Sequence, residues 1–249
     1  MKALGIIGYH HTGKTTLACT IIAELTKLGY KVASVKDIHN QAYYADLDGK
    51  NTALHAKAGS QVVFAKGLHD SALLFPRSLQ LQEILPLLQA DFLIIEGMKD
   101  APVPKLVCAE NTAQLAELVD GTCFGISGLI ADKLNTYEGL PVFCLQRNLP
   151  QLLSTVLSQS FEILPLSDPE CCSACGKSCY QMAVDIVQGT ATRSDCLLDN
   201  AADTKLIIDG QEIVIVPFVQ NLLRDMILAF VGNLKNSDSK GRIVIEINR

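Results

Sequence analysis

An α/β fold, a mostly parallel sheet covered by helices on both faces and followed by a small cysteine-bearing module, is the architecture this chain predicts. Three observations carry it: apolar strand-like and helix-like runs alternate over the first two thirds, the octet Gly8-Tyr9-His10-His11-Thr12-Gly13-Lys14-Thr15 separates the first strand from the first helix, and five of nine cysteines crowd into residues 171–196. The octet spells G-x-x-x-x-G-K-T, the sequence of a phosphate-cradling P-loop.

Each element follows in order. Lys2 to Ile7 reads as a short buried strand, and the run after Thr16 carries apolar residues at helical spacing, so strand, loop and helix occur in the order a P-loop needs. Residues 31–36 form a second strand, 51–58 a helix, 61–65 a strand, 79–88 a helix and 91–96 a buried strand. Further apolar runs cover 104–108, 123–130 and 142–145, with a helix from about 149 to 157. A boundary is expected near Pro165 to Pro169, dividing a nucleotide-binding domain (1–162) from the cysteine module (163–249). There 205–208 and 212–216 flank Asp209-Gly210 as a hairpin. Residues 217–234 read as an amphipathic helix stacking Phe218, Leu222, Met226, Phe230 and Leu234, expected either to pack on that hairpin or to dimerise. Residues 242–247 alternate as a closing strand.

Bulk properties narrow the function classes. The 249 residues are 49% hydrophobic, ample for a core without staples. A net charge of −5 argues against a broad nucleic-acid footprint. The start of the chain runs straight into strand and P-loop, with no basic leader and no apolar stretch of membrane-spanning length, so the expectation is a soluble cytoplasmic protein with reduced thiols. Cys19, Cys108, Cys123 and Cys144 read as small buried hydrophobes.

The candidate site residues follow from phosphate chemistry. Gly8 and Gly13 allow the backbone turns that aim successive N–H groups at phosphate oxygens, and the helix beginning near Lys14 adds the positive end of its dipole. Lys14 would reach the β/γ-phosphates, and the Thr15 hydroxyl would bind Mg²⁺. His10 and His11 could touch phosphate or simply face solvent. A carboxylate near Mg²⁺ is expected at a strand end, which Glu96 provides, with Gly97 leaving room for phosphate; Asp37, Asp46 or Asp48 could serve as well. Lys36, His39, Lys50, Lys99 and Lys105 form a sparse basic set expected around the mouth, able together to hold a second polyanion.

Cys172, Cys175, Cys179 and Cys196 supply four thiolates with intervening runs of two, three and sixteen residues, suited to a [4Fe–4S] cluster or to Zn²⁺. Gly176 would ease the turn between ligands, a helix would span 180–187 and Gly189 would stop it before the chain returns Cys196. Zinc ribbons usually pair two C-x-x-C knuckles and only one is written here, which favours the cluster. Cys171 could replace Cys172.

Taken in order, the P-loop, Lys36-Asp37-Ile38-His39, Asp48-Gly49-Lys50-Asn51-Thr52, Ala58-Gly59 and Ile94-Ile95-Glu96-Gly97-Met98-Lys99 resemble MobB-type molybdopterin-guanine dinucleotide biosynthesis proteins over about residues 1–160. The cysteine segment resembles small four-cysteine [4Fe–4S] modules. The first resemblance implies a homodimeric GTP-binding accessory of molybdenum or tungsten cofactor maturation, at most a slow GTPase. It would assist the guanylyltransferase that joins GMP to molybdopterin for delivery to a molybdoenzyme. By the same resemblance Gly13, Lys14, Thr15 and Thr16, with the rest of the loop including Thr12, bind GTP phosphates; Glu96 and Asp37 serve Mg²⁺; Lys36, His39 and Lys50 lie near phosphate or pterin. Two rival readings stay open: a small-molecule kinase with Asp37 or Glu96 as base, and a nucleotide-switched Fe–S electron-transfer or cluster-delivery protein.

Overall fold

Burial sorts the first strand by parity. In the computed structural model, which describes residues 1–46, 49–166, 175–197, 204, 206–208, 211–213, 217–234 and 243–245, β1 (Lys2–Gly8) sends Leu4 and Ile6 to one face and Ala3 and Ile7 to the other, all buried. A strand buried on both faces belongs inside a helix-covered parallel sheet. With β2 (Val32–Lys36), β5 (Phe92–Glu96), β6 (Lys105–Cys108) and β7 (Cys123–Ser127) it forms a parallel five-stranded sheet ordered β2-β5-β1-β6-β7.

Helix α1 (Lys14–Lys27) presents Leu17, Ala18, Ile21 and Leu25 at helical spacing, and α5 (Leu145–Gln159) presents Leu152 and Val156; both pack on Leu4, Ile6, Phe92, Ile94, Leu106 and Phe124. On the opposite face α4 (Thr112–Leu118) buries Leu115 and Leu118 against Ile7, Val107 and Ile126. Leu81 of the short α3 (Leu81–Ile84) covers Ala3, Leu93 and Ile95. All strands run the same way, so their carboxyl ends, where α/β sheets bind ligands, gather at one edge with the P-loop.

Several expectations need correction. The strand expected at 61–65 does not join the sheet: β3 (Val63–Lys66) pairs antiparallel with β4 (Ser71–Leu74) in a separate two-stranded ribbon, whose Phe64 and Leu73 are exposed. The helix expected at 79–88 stops at Ile84 and tightens to a 3₁₀ turn over Leu85–Leu87, because Pro86 has no N–H to continue the ladder. The run at 142–145 contributes a single bridge, Val142 to Ile126, before α5 begins at Leu145. Pro150 lies inside α5, where Asn148 departs from helical geometry. Helix α4 was not foreseen, although Asn111 caps it by accepting from the Gln114 N–H. Two short strands, β8 (Thr136–Tyr137) and β9 (Leu140–Pro141), form a further small hairpin.

Cα packing divides the chain into two compact units, Met1–Leu166 with Tyr180–Arg193, and Ser167–Cys179 with Ser194–Arg249. Helix α6 (Cys179–Val187) thus packs from Tyr180 onward in the first unit, burying Met182 and Ala183, and Gly189 turns the chain away with a φ of 73°. In the second unit β10 (Leu206–Ile208) pairs antiparallel with β11 (Gln211–Ile213), with Ile208 opposite Gln211; the intervening Asp209-Gly210 lies outside the described residues. Helix α7 (Pro217–Gly232) follows, and Leu222, Met226, Phe230 and Leu234 are exposed rather than packed on the hairpin. The closing strand expected at 242–247 is absent over its described residues, 243–245.

Candidate functional site

The P-loop bends where its glycines and one histidine allow. Gly8 (φ 155°), His11 (φ 61°) and Gly13 (φ 96°) adopt positive φ, and Thr12 between them is buried, its hydroxyl donating to the Tyr9 carbonyl at 2.9 Å. A Cβ on Gly8 would stand 2.2 Å from the Cys108 carbonyl oxygen, so the loop lies directly against the end of β6. Gly13 is the N-cap of α1 and no side chain caps that end, so the first N–H groups of the helix remain available to an anion. His10 and His11 are exposed on the loop rim.

Lys14 folds back and donates to the Tyr9 carbonyl. Burial, only partly offset by Cys108 and Glu96, holds its ammonium below the usual lysine range. Such an amine gains from an incoming phosphate, which restores a counter-charge in place of lost water. Thr16 is exposed one residue beyond Thr15 on the first turn of α1.

The opposite wall is built by register. Lys36, last in β2, pairs with Glu96, last in β5, which in turn pairs with Ile6 of β1, two residues before the loop. Glu96 is buried and Oε1 accepts from the Thr15 hydroxyl at 2.8 Å and from Lys36 Nζ at 2.7 Å. Burial would raise its pKa, but the hydrogen bonds from Lys36 and Thr15 and the charges of Lys36 and Lys14 outweigh it, and the carboxyl sits below its ordinary value. Asp37 continues from β2, its N–H donating to the Glu96 carbonyl at 2.8 Å, and its carboxylate lies 3.0 Å from His39 Nε2. Gly97 (φ 102°) lets the chain turn there, since a Cβ would meet the Asp37 carbonyl at 3.1 Å.

An Mg²⁺ fit can be tested on the oxygens present. Octahedral coordination at 2.0–2.1 Å places adjacent ligand oxygens about 2.9 Å apart. Thr15 Oγ1 and Glu96 Oε1 stand 2.8 Å apart, so this pair matches two neighbouring corners.

The remaining candidates are distributed unevenly. Lys50 is exposed at the start of α2 (Asn51–Lys57), Asp46 is half-buried in the preceding loop, and Asp48 lies outside the described residues. Lys99 reaches the loop from the other side, its Nζ 5.3 Å from the Tyr9 ring centroid. Lys105 does not belong to the mouth: it is fully buried at the start of β6, donates to the Lys99 carbonyl and lies 3.4 Å from the Tyr180 hydroxyl and 3.9 Å from Asp120. Register sets Lys105 opposite Gly5, midway along β1 and three residues short of Gly8. Cys108, Cys123 and Cys144 are buried as expected, but Cys19 faces solvent from α1.

One contact residue escaped the sequence reading. Gly128 follows β7 with a φ of 87°, and a Cβ there would stand 2.3 Å from the Thr12 carbonyl oxygen. The turn after β7 therefore braces the P-loop. Its only trace in the sequence is a glycine after an apolar strand, a common pattern.

Among the described cysteines of this segment Cys196 is buried, and Cys175 and Cys179 are half-buried around the turn at Gly176 (φ 72°). Cys172 and Cys171 lie outside the described residues, so the four-thiolate set cannot be assembled from them. Among the described residues no group of three His, Cys, Asp or Glu side chains is placed to hold a metal ion.

A parallel sheet ordered β2-β5-β1-β6-β7, with a glycine-bent loop at the end of its central strand and a strand-end carboxylate on the loop's threonine, defines the P-loop NTPase class of α/β protein. The MobB family model, molybdopterin guanine dinucleotide synthesis protein B, matches residues 3–126, from β1 into β7. The chain belongs to this family. The molybdopterin-guanine dinucleotide biosynthesis adapter protein of Haemophilus influenzae is 30% identical over 122 residues, 46% of this chain and 68% of that protein. A protein of Methanocaldococcus jannaschii provisionally named as such an adapter is 28% identical over 255 residues, 100% of this chain and 98% of the relative, an alignment that includes the cysteine segment. The crystal structure of Bacillus subtilis MobB superposes with a TM-score of 0.55 at 26% identity, covering 65% of this chain and 99% of that one.

Proposed function

We propose that the protein is a GTP-binding adapter in the biosynthesis of molybdopterin guanine dinucleotide, acting beside the guanylyltransferase and, through it, on the supply of cofactor to molybdoenzymes. The observation that carries this reading is the meeting of Thr15, Glu96 and Lys36 at the foot of an uncapped, glycine-bent P-loop. The names of the relatives from Methanocaldococcus jannaschii and Haemophilus influenzae support the pathway. The nucleotide's phosphates would lie over the loop's N–H groups, Lys14 would turn from the Tyr9 carbonyl to the β/γ-phosphates, and Thr15 with Glu96 would hold Mg²⁺, with Asp37 beside them. Bound Mg²⁺ would neutralise phosphate charge and orient the terminal phosphoryl group.

Slow hydrolysis fits the chemistry of Glu96. A carboxylate with a lowered pKa that already accepts two hydrogen bonds is a weak general base, which also counts against the small-molecule kinase reading. An adapter needs the nucleotide as a binding signal more than as a reagent. The family likeness supports a homodimer. The cysteines of the second unit, completed by Cys172, would hold a [4Fe–4S] cluster, with Zn²⁺ as the alternative occupant.

Calorimetric titration with GTP and ATP in Mg²⁺ tests the reading. GTP should bind in preference to ATP, and Lys14→Ala should weaken it roughly 10- to 100-fold, the value of a hydrogen bond to a charged group. Equal binding of wild type and variant, or no GTP binding at all, would overturn it.

A further inference from the structure

Three groups converge on one oxygen at the P-loop. Glu96 Oε1 accepts from Thr15 Oγ1 at 2.8 Å and from Lys36 Nζ at 2.7 Å, and Lys36 Nζ also lies 3.3 Å from Thr15 Oγ1. A unit positive charge therefore sits within hydrogen-bond reach of both oxygens that match an Mg²⁺ octahedron. The placement follows from sheet register, since Lys36 and Glu96 are paired last residues of neighbouring parallel strands. The lysine side chain is 53% exposed while that of Glu96 is 11% exposed, so the carboxylate is fixed and the ammonium is free to swing outward on its stem.

We propose that Lys36 is an internal counter-cation that competes with Mg²⁺ for the Thr15–Glu96 pair and gives way when nucleotide and metal arrive together. The inference rests on the nucleotide-binding reading of this site. Two cations cannot share one carboxylate oxygen at close range without strong repulsion in a partly buried setting. A lysine ammonium is a compact point charge, so it satisfies Glu96 in the nucleotide-free protein and disfavours metal entry. The polyphosphate changes the balance: it carries its own Mg²⁺ and offers the displaced ammonium a new anionic partner. Metal loading is thereby tied to nucleotide loading, and nucleotide without metal is still met by a cation at this position. Lys36 is a positioning residue in this account, acting through Glu96.

Two measurements on the full chain test it, using wild type, Lys36→Gln and Lys36→Arg. The first is Mn²⁺ binding by electron paramagnetic resonance without nucleotide. Lys36→Gln should bind Mn²⁺ at least about tenfold more tightly than wild type, with Lys36→Arg close to wild type. The second is GTP affinity by calorimetry in excess Mg²⁺ and in EDTA. The gain conferred by Mg²⁺ should be at least about tenfold larger in Lys36→Gln than in wild type, chiefly because binding in EDTA weakens. Unchanged Mn²⁺ affinity, or an equal Mg²⁺ gain in variant and wild type, overturns the proposal. Tighter Mn²⁺ binding in Lys36→Gln together with no GTP binding by wild type would instead sink the nucleotide reading and leave the competition intact.

Discussion

At the scale of single residues, hydrogen at Cα proves as important as charge. Gly8 opens the P-loop against the Cys108 carbonyl and Gly128 abuts the loop at the Thr12 carbonyl, both at separations no side chain tolerates. Gly128→Ala should therefore distort the loop rather than the sheet. A loss of GTP affinity of tenfold or more with a modest fall in thermal midpoint is expected, read by calorimetry and by thermal unfolding of the same sample. Full GTP affinity in the alanine variant would mean that the turn after β7 is not a brace. Lys105 makes the complementary point. As a residue type it advertises a surface cation, yet its amine is sealed among the Lys99 carbonyl, Tyr180 and Asp120, and burial pulls its pKa down. Nothing in the local sequence distinguishes it from Lys99, which does reach the loop.

Among elements, α6 from Tyr180 onward belongs to the nucleotide-binding unit although it follows the cysteine segment in sequence. Its Tyr180, next to Cys179, donates to Asp120 at 2.7 Å and Val184 lies against Gly121. Arg193, three residues before Cys196, donates to the carbonyls of Glu162 and Ile163. Two of the four candidate ligands thus flank a segment whose own contacts are with the P-loop unit. Anaerobic preparation followed by iron, sulfide and zinc analysis of wild type and Cys175→Ser should find about four irons and four sulfides per chain in the wild type, lost in the variant. One zinc and no iron would replace the cluster with a structural knuckle. Element boundaries were less legible than element identities. The sequence shows only half of the β3–β4 hairpin, because 61–65 is apolar enough for a sheet strand and only the antiparallel partner at 71–74 sets it apart. Helix α4 went unseen although Asn111 and Gln114 write its cap, because seven residues are too few for a periodic signal.

For the whole molecule, burial of thiols and a phenol predicts how stability varies with pH. Burial pushes Cys108 and Cys123 to about 12, and burial with the Asp120 contact pushes Tyr180 to about 12. In the unfolded chain thiols titrate near 8.5 and tyrosine near 10. Between those values and about 12 the unfolded state has released protons that the folded state keeps, so stability is full below pH 8.5 and falls as pH rises. Lys14 and Lys105, both lowered in the folded state, act in the opposite direction up to their unfolded value. Urea midpoints under reducing conditions should decline steadily from pH 8 to pH 11, and Cys108→Ala should flatten the decline. A midpoint that stays level across this range would contradict the buried state of these groups.

Order along the chain was enough to determine the α/β class, the P-loop, the strand-end Glu96 and the family likeness, because each rests on local spacing: a glycine-rich octet, a hydrophobic period, a carboxylate after an apolar run. Which strands neighbour one another was not written locally. The sheet order puts Lys36 beside Glu96 and buries Lys105 opposite Gly5 in mid-strand, and it brings Gly128 against a loop more than a hundred residues away. Those placements depend on pairing between distant segments, where the free energy of burying both faces of the sheet selects one register. The site's chemistry is therefore spelled in the sequence, and its geometry belongs to the tertiary fold alone.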